Sequence, residues 1–287
     1  MSSALSTPTR TALAAVVIGA ALTGSAGTAA AQVSLSRYVA LGDSYASGAG
    51  VPDQLDRACD RSSRSYPSLV TAALSPKTKV DVSCTAATTA DLANTQSSSN
   101  GPQFDALTPD TDLVTLTIGG NDLGFTDLIG RCITLGLFAP LGSPCKVSYT
   151  MNGTDQLPAK IQATASKIAA VLDGIRQRSP RAAVLVTGYP VIAPDNGTNC
   201  FATVTIAKGD APWLRDTAKR FNAAIAAQAA DHGARYVDTY TPSIGHDVCA
   251  PSGTRWLEPL IANGAAAFHP NAAGQQSMAT AVINTTR

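Results

Sequence analysis

Tyr38-Val39-Ala40-Leu41-Gly42-Asp43-Ser44-Tyr45 carries the strongest mark of fold class in the chain. An apolar run without alternation stops at a Gly-Asp-Ser corner, the pattern of a parallel strand covered on both faces. Such a corner lifts the Ser44 hydroxyl off the carboxyl end of a strand, where open α/β sheets keep their chemistry. Most serines in that position are turn residues. Ser44 becomes a candidate nucleophile only if a base, an oxyanion donor and a binding surface follow it.

Four further stretches read as strands: Lys79–Ser83, Asp112–Ile118, Ala182–Thr187 and Arg235–Asp238. Helical candidates near Pro67–Leu74, Thr89–Asn94, Leu157–Arg178 and Pro212–Asp231 alternate with them. In the third of these, Ile161, Ile168, Val171, Leu172 and Ile175 keep helical spacing. A last helix is expected from Pro270 through the Ala-rich tail, and Ser97-Ser98-Ser99-Asn100-Gly101-Pro102 is the clearest loop. The alternation predicts an α/β protein, a three-layer α/β/α sandwich around a five-stranded parallel sheet.

Residues 1–31 have the order of a secretory signal peptide: a polar start, Arg10, an apolar run from Thr11 to Leu22, and small residues ending Ala29-Ala30-Ala31. Cleavage is expected after Ala31, leaving one domain over 32–287. The apolar part is too short and too broken by Gly and Ser for the ~20 residues a bilayer span needs, and no second such run follows. A secreted, extracellular product without a membrane span is therefore expected. Arg10 stands alone, so no twin-arginine signal is present. The formal charge of +1, without a basic cluster, argues against nucleic acid as a partner. Charged residues make up 14% of the chain, which suits a hard-packed protein rather than a disordered one.

The six cysteines are Cys59, Cys84, Cys132, Cys145, Cys200 and Cys249. An even count in an exported chain favours disulfides, although fifteen pairings are open. Nearest-neighbour pairing is the arrangement that closes three separate loops. No C-x-x-C or His-rich spacing suggests zinc, and no metal or cofactor is expected.

Serine needs a positioned base, and the chain offers three histidines. His232, in Asp-His-Gly at the end of a predicted surface helix, suits a helix C-terminus. His246, three residues before Cys249, reads as a capping or surface residue of a loop. His269, in Ala267-Phe268-His269-Pro270-Asn271, precedes a proline that can begin a helix, so it sits on a rigid corner near the chain's end. The third component is Thr117-Ile118-Gly119-Gly120-Asn121-Asp122, again directly after an apolar strand. Its glycines allow a close turn, and Asn121 can aim a neutral N–H donor over the same sheet edge. Removing one such donor costs about 3–4 kcal/mol of transition-state stabilisation in known cases. A glycine-rich turn capped by Asn is the bland alternative.

Gly42-Asp43-Ser44-Tyr45, Gly119-Gly120-Asn121-Asp122 and His269-Pro270-Asn271 resemble the first, third and fifth blocks of the SGNH (GDSL) hydrolases. The blocks span essentially the whole mature chain, and the secreted actinobacterial branch of lipases and esterases is the most similar. The resemblance implies ester hydrolysis on a flavodoxin-like sheet, with Ser44 as nucleophile and His269 as base. The oxyanion hole would be formed by Asn121 and backbone N–H groups, that of Ser44 among them. It also implies the sequential disulfides Cys59–Cys84, Cys132–Cys145 and Cys200–Cys249.

The chain departs from the family pattern twice. The second block usually reads Ser-Gly-x-x-Thr, whereas here Cys84-Thr85-Ala86-Ala87-Thr88-Thr89 puts Ala86 where glycine is expected. A backbone donor survives that change provided the position does not require positive φ. Many relatives also carry an Asp three residues before the histidine, where this chain has Ala266. A main-chain carbonyl, of Ala266 or Ala267, is the expected partner for Nδ1, with Asp247 and Glu258 as fallbacks by sequence distance.

Between Cys132 and Cys145 the chain is strongly apolar and reads as a loop. Leu135, Leu137, Phe138 and Leu141, with Leu123 and Phe125, are the candidate wall of an acyl groove; the alternative is that they cover the core. The expectation is a secreted, monomeric serine carboxylester hydrolase of lipase, esterase or phospholipase type, acting on a small-molecule or lipid ester and touching a lipid interface transiently. A carbohydrate O-acetylesterase or thioesterase on the same machinery is the nearest rival. A non-catalytic binding protein is the rival from another class.

Overall fold

The computed structural model describes residues 1, 3, 4, 35–97, 100–151 and 153–286. The expected signal peptide thus falls almost wholly outside the described residues, as do Ser98 and Ser99 of the expected loop. In chain order the strands are β1 (Arg37–Gly42), β2 (Gln54–Asp56), β3 (Arg61–Ser62), β4 (Thr78–Asp81), β5 (Leu113–Thr117), β6 (Ala183–Thr187) and β7 (Arg235–Val237). The helices are α1 (Ser44–Ser47), α2 (Tyr66–Leu74), α3 (Gly120–Leu123), α4 (Phe125–Phe138), α5 (Pro144–Tyr149), α6 (Leu157–Arg178), α7 (Phe201–Val204), α8 (Ala211–Asp231) and α9 (Ala272–Thr286).

The main sheet runs β4-β1-β5-β6-β7, and every pairing in it is parallel. Val39 stands between Val80 and Val114, and Val114 in turn faces Val184, so β-branched side chains repeat across the centre. From Tyr38 through Gly42, β1 is buried residue by residue, and β5 is buried throughout. The unalternating apolar runs of the sequence are therefore strands packed on both faces. α6 pairs with α8 and α2 pairs with α9 to supply the two helical layers. In α6, Ile161, Ile168, Val171, Leu172 and Ile175 are all buried in the main core. Because β1 has β4 on one side and β5 on the other, the chain reverses its winding direction there. The crevice at the carboxyl ends of β1 and β5 is the switch point at which such sheets bind ligands.

A second apolar cluster lies outside the sheet core. It joins Leu128 and Ile129 of α4, the Cys132–Cys145 pair, Ile192, Ile206, Leu214 and Phe268. Disulfides link Cys59 to Cys84, Cys132 to Cys145 and Cys200 to Cys249.

Three elements differ from the expectations. The apolar stretch after Cys132 is helical rather than looped, because α4 continues to Phe138. Gly136 makes this possible, since a Cβ there would lie 2.1 Å from the Thr205 carbonyl oxygen. The last helix begins at Ala272, not Pro270; Pro270 bridges to Leu257, and the Asn271 side chain caps the helix by accepting from the Ala273 and Gly274 N–H groups. The segment near Thr89 is a single 3₁₀ turn, Thr89–Leu92.

Candidate active site

Gly42 ends β1 at φ 137°, and a Cβ on it would lie 2.3 Å from the Thr117 carbonyl oxygen. Only glycine fits so close to β5 in that conformation. The buried Gln103 amide fastens the corner: its Oε1 accepts from Gly42 N–H at 2.7 Å and its Nε2 donates to Gly42 O at 3.0 Å. Asp43 then caps α1, its carboxylate accepting from Tyr45 N–H at 2.9 Å. This delivers Ser44 to the start of α1, with 7% of its surface left accessible.

His269 arrives from the other end of the chain. Its Nε2 lies 2.7 Å from Ser44 Oγ across 225 residues of sequence, and its Nδ1 lies 2.8 Å from the Ala267 carbonyl oxygen. A carbonyl only accepts, so Nδ1 carries the proton and Nε2 is left to accept from the serine hydroxyl. Burial holds the imidazole pKa below its ordinary value, the Nδ1 hydrogen bond opposing that only in part. Of the two carbonyl candidates, Ala267 therefore meets the ring; Ala266 O instead accepts the His269 backbone N–H. Neither fallback carboxylate reaches the imidazole. Glu258 accepts from Asn271 Nδ2 and Asn263 N–H, and Asp247 accepts from Cys249 N–H. His232 pairs with Asp173, and His246 stacks on Trp256 while meeting Thr254 O; both serve local structure.

The loop that carries His269 is seated by the segment just after Ser44. Ala266 N–H donates to Ala49 O at 2.9 Å, and a Cβ on Gly50 would lie 2.5 Å from Ala266 N. The Tyr45 hydroxyl donates to Phe268 O at 2.6 Å while its ring packs 4.9 Å from the imidazole. Phe268 itself is left-handed at φ 61°. The Gln275 amide joins Tyr45 O to Tyr66 N–H, tying α9 and α2 to the Ser44 turn.

Asn121 follows β5 on α3 and lines the same cleft as Ser44 and His269. Its Nδ2 donates to Ala87 O at 2.8 Å, which leaves its second N–H hydrogen for another acceptor. Asp122 secures α3 by accepting from Thr89 N–H and Oγ1 and by pairing with Lys167. The Asn121 bond also holds the turn containing Ala86 beside the site. Ala86 does adopt positive φ, 61°, contrary to the proviso attached to it. The turn imposes this, because Cys84 N–H is bound to Gly42 O, Thr85 N–H to Cys59 O and Ala87 N–H to Cys84 O. Alanine keeps its N–H there at a conformational cost of about 1–2 kcal/mol.

Tyr189, Tyr45, Gln103 and Gln275 were not singled out in the sequence. Tyr189 donates to the Asp43 carboxylate and accepts from Gly120 N–H at 2.8 Å, linking the serine turn to the Gly-Gly-Asn turn. Burial pushes the Asp43 carboxyl up to about 7. The position of Tyr189 just past β6 was a usable signal, as was that of Tyr45 within the serine block. The two glutamines gave none, because their role depends on distant backbone atoms.

A cleft lined mainly by apolar side chains opens beside the Ser44–His269 pair. Ser44, Asn121 and His269 share it with apolar walls that include Leu123, Phe125, Ile129, Ile192, Leu214 and Phe221. Leu123 and Phe125 thus line it as expected. Leu135, Leu137, Phe138 and Leu141 do not, because a continuous α4 rises 1.5 Å per residue and carries its second half away from its first turn.

A serine hydroxyl bonded to a neutral imidazole in an apolar cleft is equipped for acyl transfer. The sequence matches the GDSL-like lipase/acylhydrolase family over residues 40–277. The chain belongs to that family. Lipase 2 of Streptomyces coelicolor is 42% identical over 84% of this chain and 83% of its own length. The crystal structure of phospholipase A1 from Streptomyces albidoflavus superposes with a TM-score of 0.73 at 33% identity, over 88% of this chain and all of that one. The extracellular lipase of Streptomyces rimosus superposes with a TM-score of 0.72 at 32% identity, over 88% and 100% of the two chains. This member of the GDSL-like family is a carboxylic ester hydrolase, and its five-stranded parallel sheet is the one these hydrolases share.

Proposed function

We propose that the chain is a secreted lipase or esterase that cleaves acyl esters through a Ser44–His269 dyad with the Ala267 carbonyl as helper. Ser44 Oγ attacks the ester carbonyl carbon as His269 Nε2 takes its proton. The oxyanion is held by Asn121 Nδ2 and by the backbone N–H groups of Ser44 and Ala86. Collapse breaks the acyl–oxygen bond, and His269 returns the proton to the departing alcohol. Water then attacks the acyl-enzyme by the same route and frees Ser44. The Ala267 carbonyl fixes the tautomer and supports the imidazolium with a dipole where many relatives use a carboxylate.

The observation that carries this reading is the 2.7 Å approach of Ser44 Oγ to His269 Nε2 with the Nδ1 proton already committed to Ala267 O. The apolar cleft supports an acyl chain as the bound part, and relatives named lipase and phospholipase A1 agree with that choice. The residue order of 1–31, the three disulfides and an extracellular relative support export after cleavage at Ala31. Among the described residues no helix is long and apolar enough to cross a membrane.

Chromogenic esters of increasing acyl length test the reading. Turnover should extend to medium and long acyl chains, and Ser44→Ala, folded as judged by circular dichroism, should lose at least about a thousandfold in kcat. Activity confined to acetyl esters, or equal turnover by Ser44→Ala, would overturn it.

A further inference from the structure

The apolar residues that miss the cleft gather at the far end of α4. Leu137 and Phe138 close the helix and Leu141 follows in the next turn, at 58%, 84% and 84% exposure. A single exposed apolar side chain is ordinary, but three within five residues form a patch that calls for a use. The backbone beneath them is pinned. Lys208 N–H donates to Pro140 O and Gly209 N–H to Gly142 O, both at 2.8 Å. The Cys132–Cys145 disulfide closes the base, and the buried Asp210 carboxylate accepts from the N–H groups of Cys145 and Lys146. The three side chains therefore point outward from a fixed support.

The exposed charge carried by this segment has one sign. Residues 128–151 contain Arg131 and Lys146 and no acidic residue, and both cations are exposed. Lys208, also exposed, is brought alongside by its backbone bond to Pro140. The carboxylate on the same helix, Asp127, lies about 16 Å from Phe138 along the axis. Asp210 is buried and already accepts from two backbone N–H groups. Phe and Leu side chains rimmed by Lys and Arg are the composition of a segment that enters an anionic lipid interface. The first turns of the same helix supply Phe125, Leu128 and Ile129 to the cleft.

We propose that Leu137, Phe138 and Leu141, with Arg131, Lys146 and Lys208 around them, seat the protein on an anionic lipid surface. α4 then links the seat to the cleft that receives the ester. The purpose of this seat rests on the ester-hydrolase reading, but its test does not.

Vesicles of diether phosphatidylglycerol, which offer no ester to cleave, isolate binding from turnover. The purified protein should co-sediment with them in a salt-sensitive manner and bind diether phosphatidylcholine more weakly. The triple variant Leu137→Ser, Phe138→Ser, Leu141→Ser should bind roughly tenfold or more weakly, and Phe138→Ser alone should fall between. Lys146→Glu with Lys208→Glu should abolish the preference for the anionic lipid. All should hydrolyse a soluble butyrate ester within about twofold of the parent; loss of that turnover in the parent would instead count against the ester-hydrolase reading. Equal vesicle binding by parent and triple variant, or no binding by the parent, overturns the proposal. So does self-association by the parent that the triple variant lacks, since the patch would then be covered by a second copy.

Discussion

Ala86 and Phe268, both close to the Ser44–His269 pair, stand in the left-handed region at φ 61°. Each is an L-residue held where glycine would be unstrained, and each is fixed by bonds to the surroundings of Ser44: Phe268 O by Tyr45, the Ala86 turn by Gly42 and Asn121. Strain of this kind collects at sites whose geometry the rest of the fold over-determines. Replacing Ala86 with glycine should raise stability by about 0.5–1 kcal/mol, the relief of left-handed strain exceeding the entropy glycine adds to the unfolded chain. The N–H remains, so kcat should stay within about twofold; denaturant melts and chromogenic ester kinetics check both. At His269 the sign of the pH effect follows from burial. The base must be neutral, and a pKa held below the ordinary 6.5 keeps it neutral further into acid. The acidic limb of kcat/KM should therefore have its midpoint below 6.5, and a midpoint above 7 would point to a carboxylate behind the ring.

At the level of elements, the strands and long helices were legible because each obeys one period. β1 and β5 are unbroken apolar runs, and α6 keeps its apolar stripe from Ile161 to Ile175 with Pro158 near its start. The stretch between Cys132 and Cys145 was misread because Gly136, Pro140 and Gly142 look like loop punctuation. Gly136 is instead a contact glycine inside α4, facing a backbone carbonyl that no sequence window contains. The β2–β3 hairpin, with three and two residues, is too short for a period to show. The Cys132–Cys145 bridge belongs to this scale. Converting both cysteines to Ala should cost about 2–4 kcal/mol. Turnover of a soluble short-chain ester should survive, because Ser44, Asn121 and His269 are carried by other elements; thermal melts and ester kinetics check the two together.

For the whole molecule, the site is where the end of the first strand meets the loop before the last helix. Ser44 follows the first strand and His269 precedes the last helix, while Tyr45, Ala49 and Gly50 hold the histidine's loop against the serine's turn. The three sequence blocks pointed to the groups that the fold brings together, Ser44, Asn121 and His269, because local turn chemistry marks each one. Sequence did not reveal Gln103 or Gln275, whose partners lie 61 and 230 residues away, or that the α4 tip faces solvent. In the proposed mechanism Ser44 is the nucleophile, activated by His269 without a carboxylate. Stoichiometric labelling with a fluorophosphonate, read by intact mass and peptide mapping, is the decisive check. One adduct on the Ser44 peptide is predicted, absent in Ser44→Ala and slowed at least about a hundredfold in His269→Ala. An adduct on another residue, or full labelling of Ser44→Ala, would contradict it.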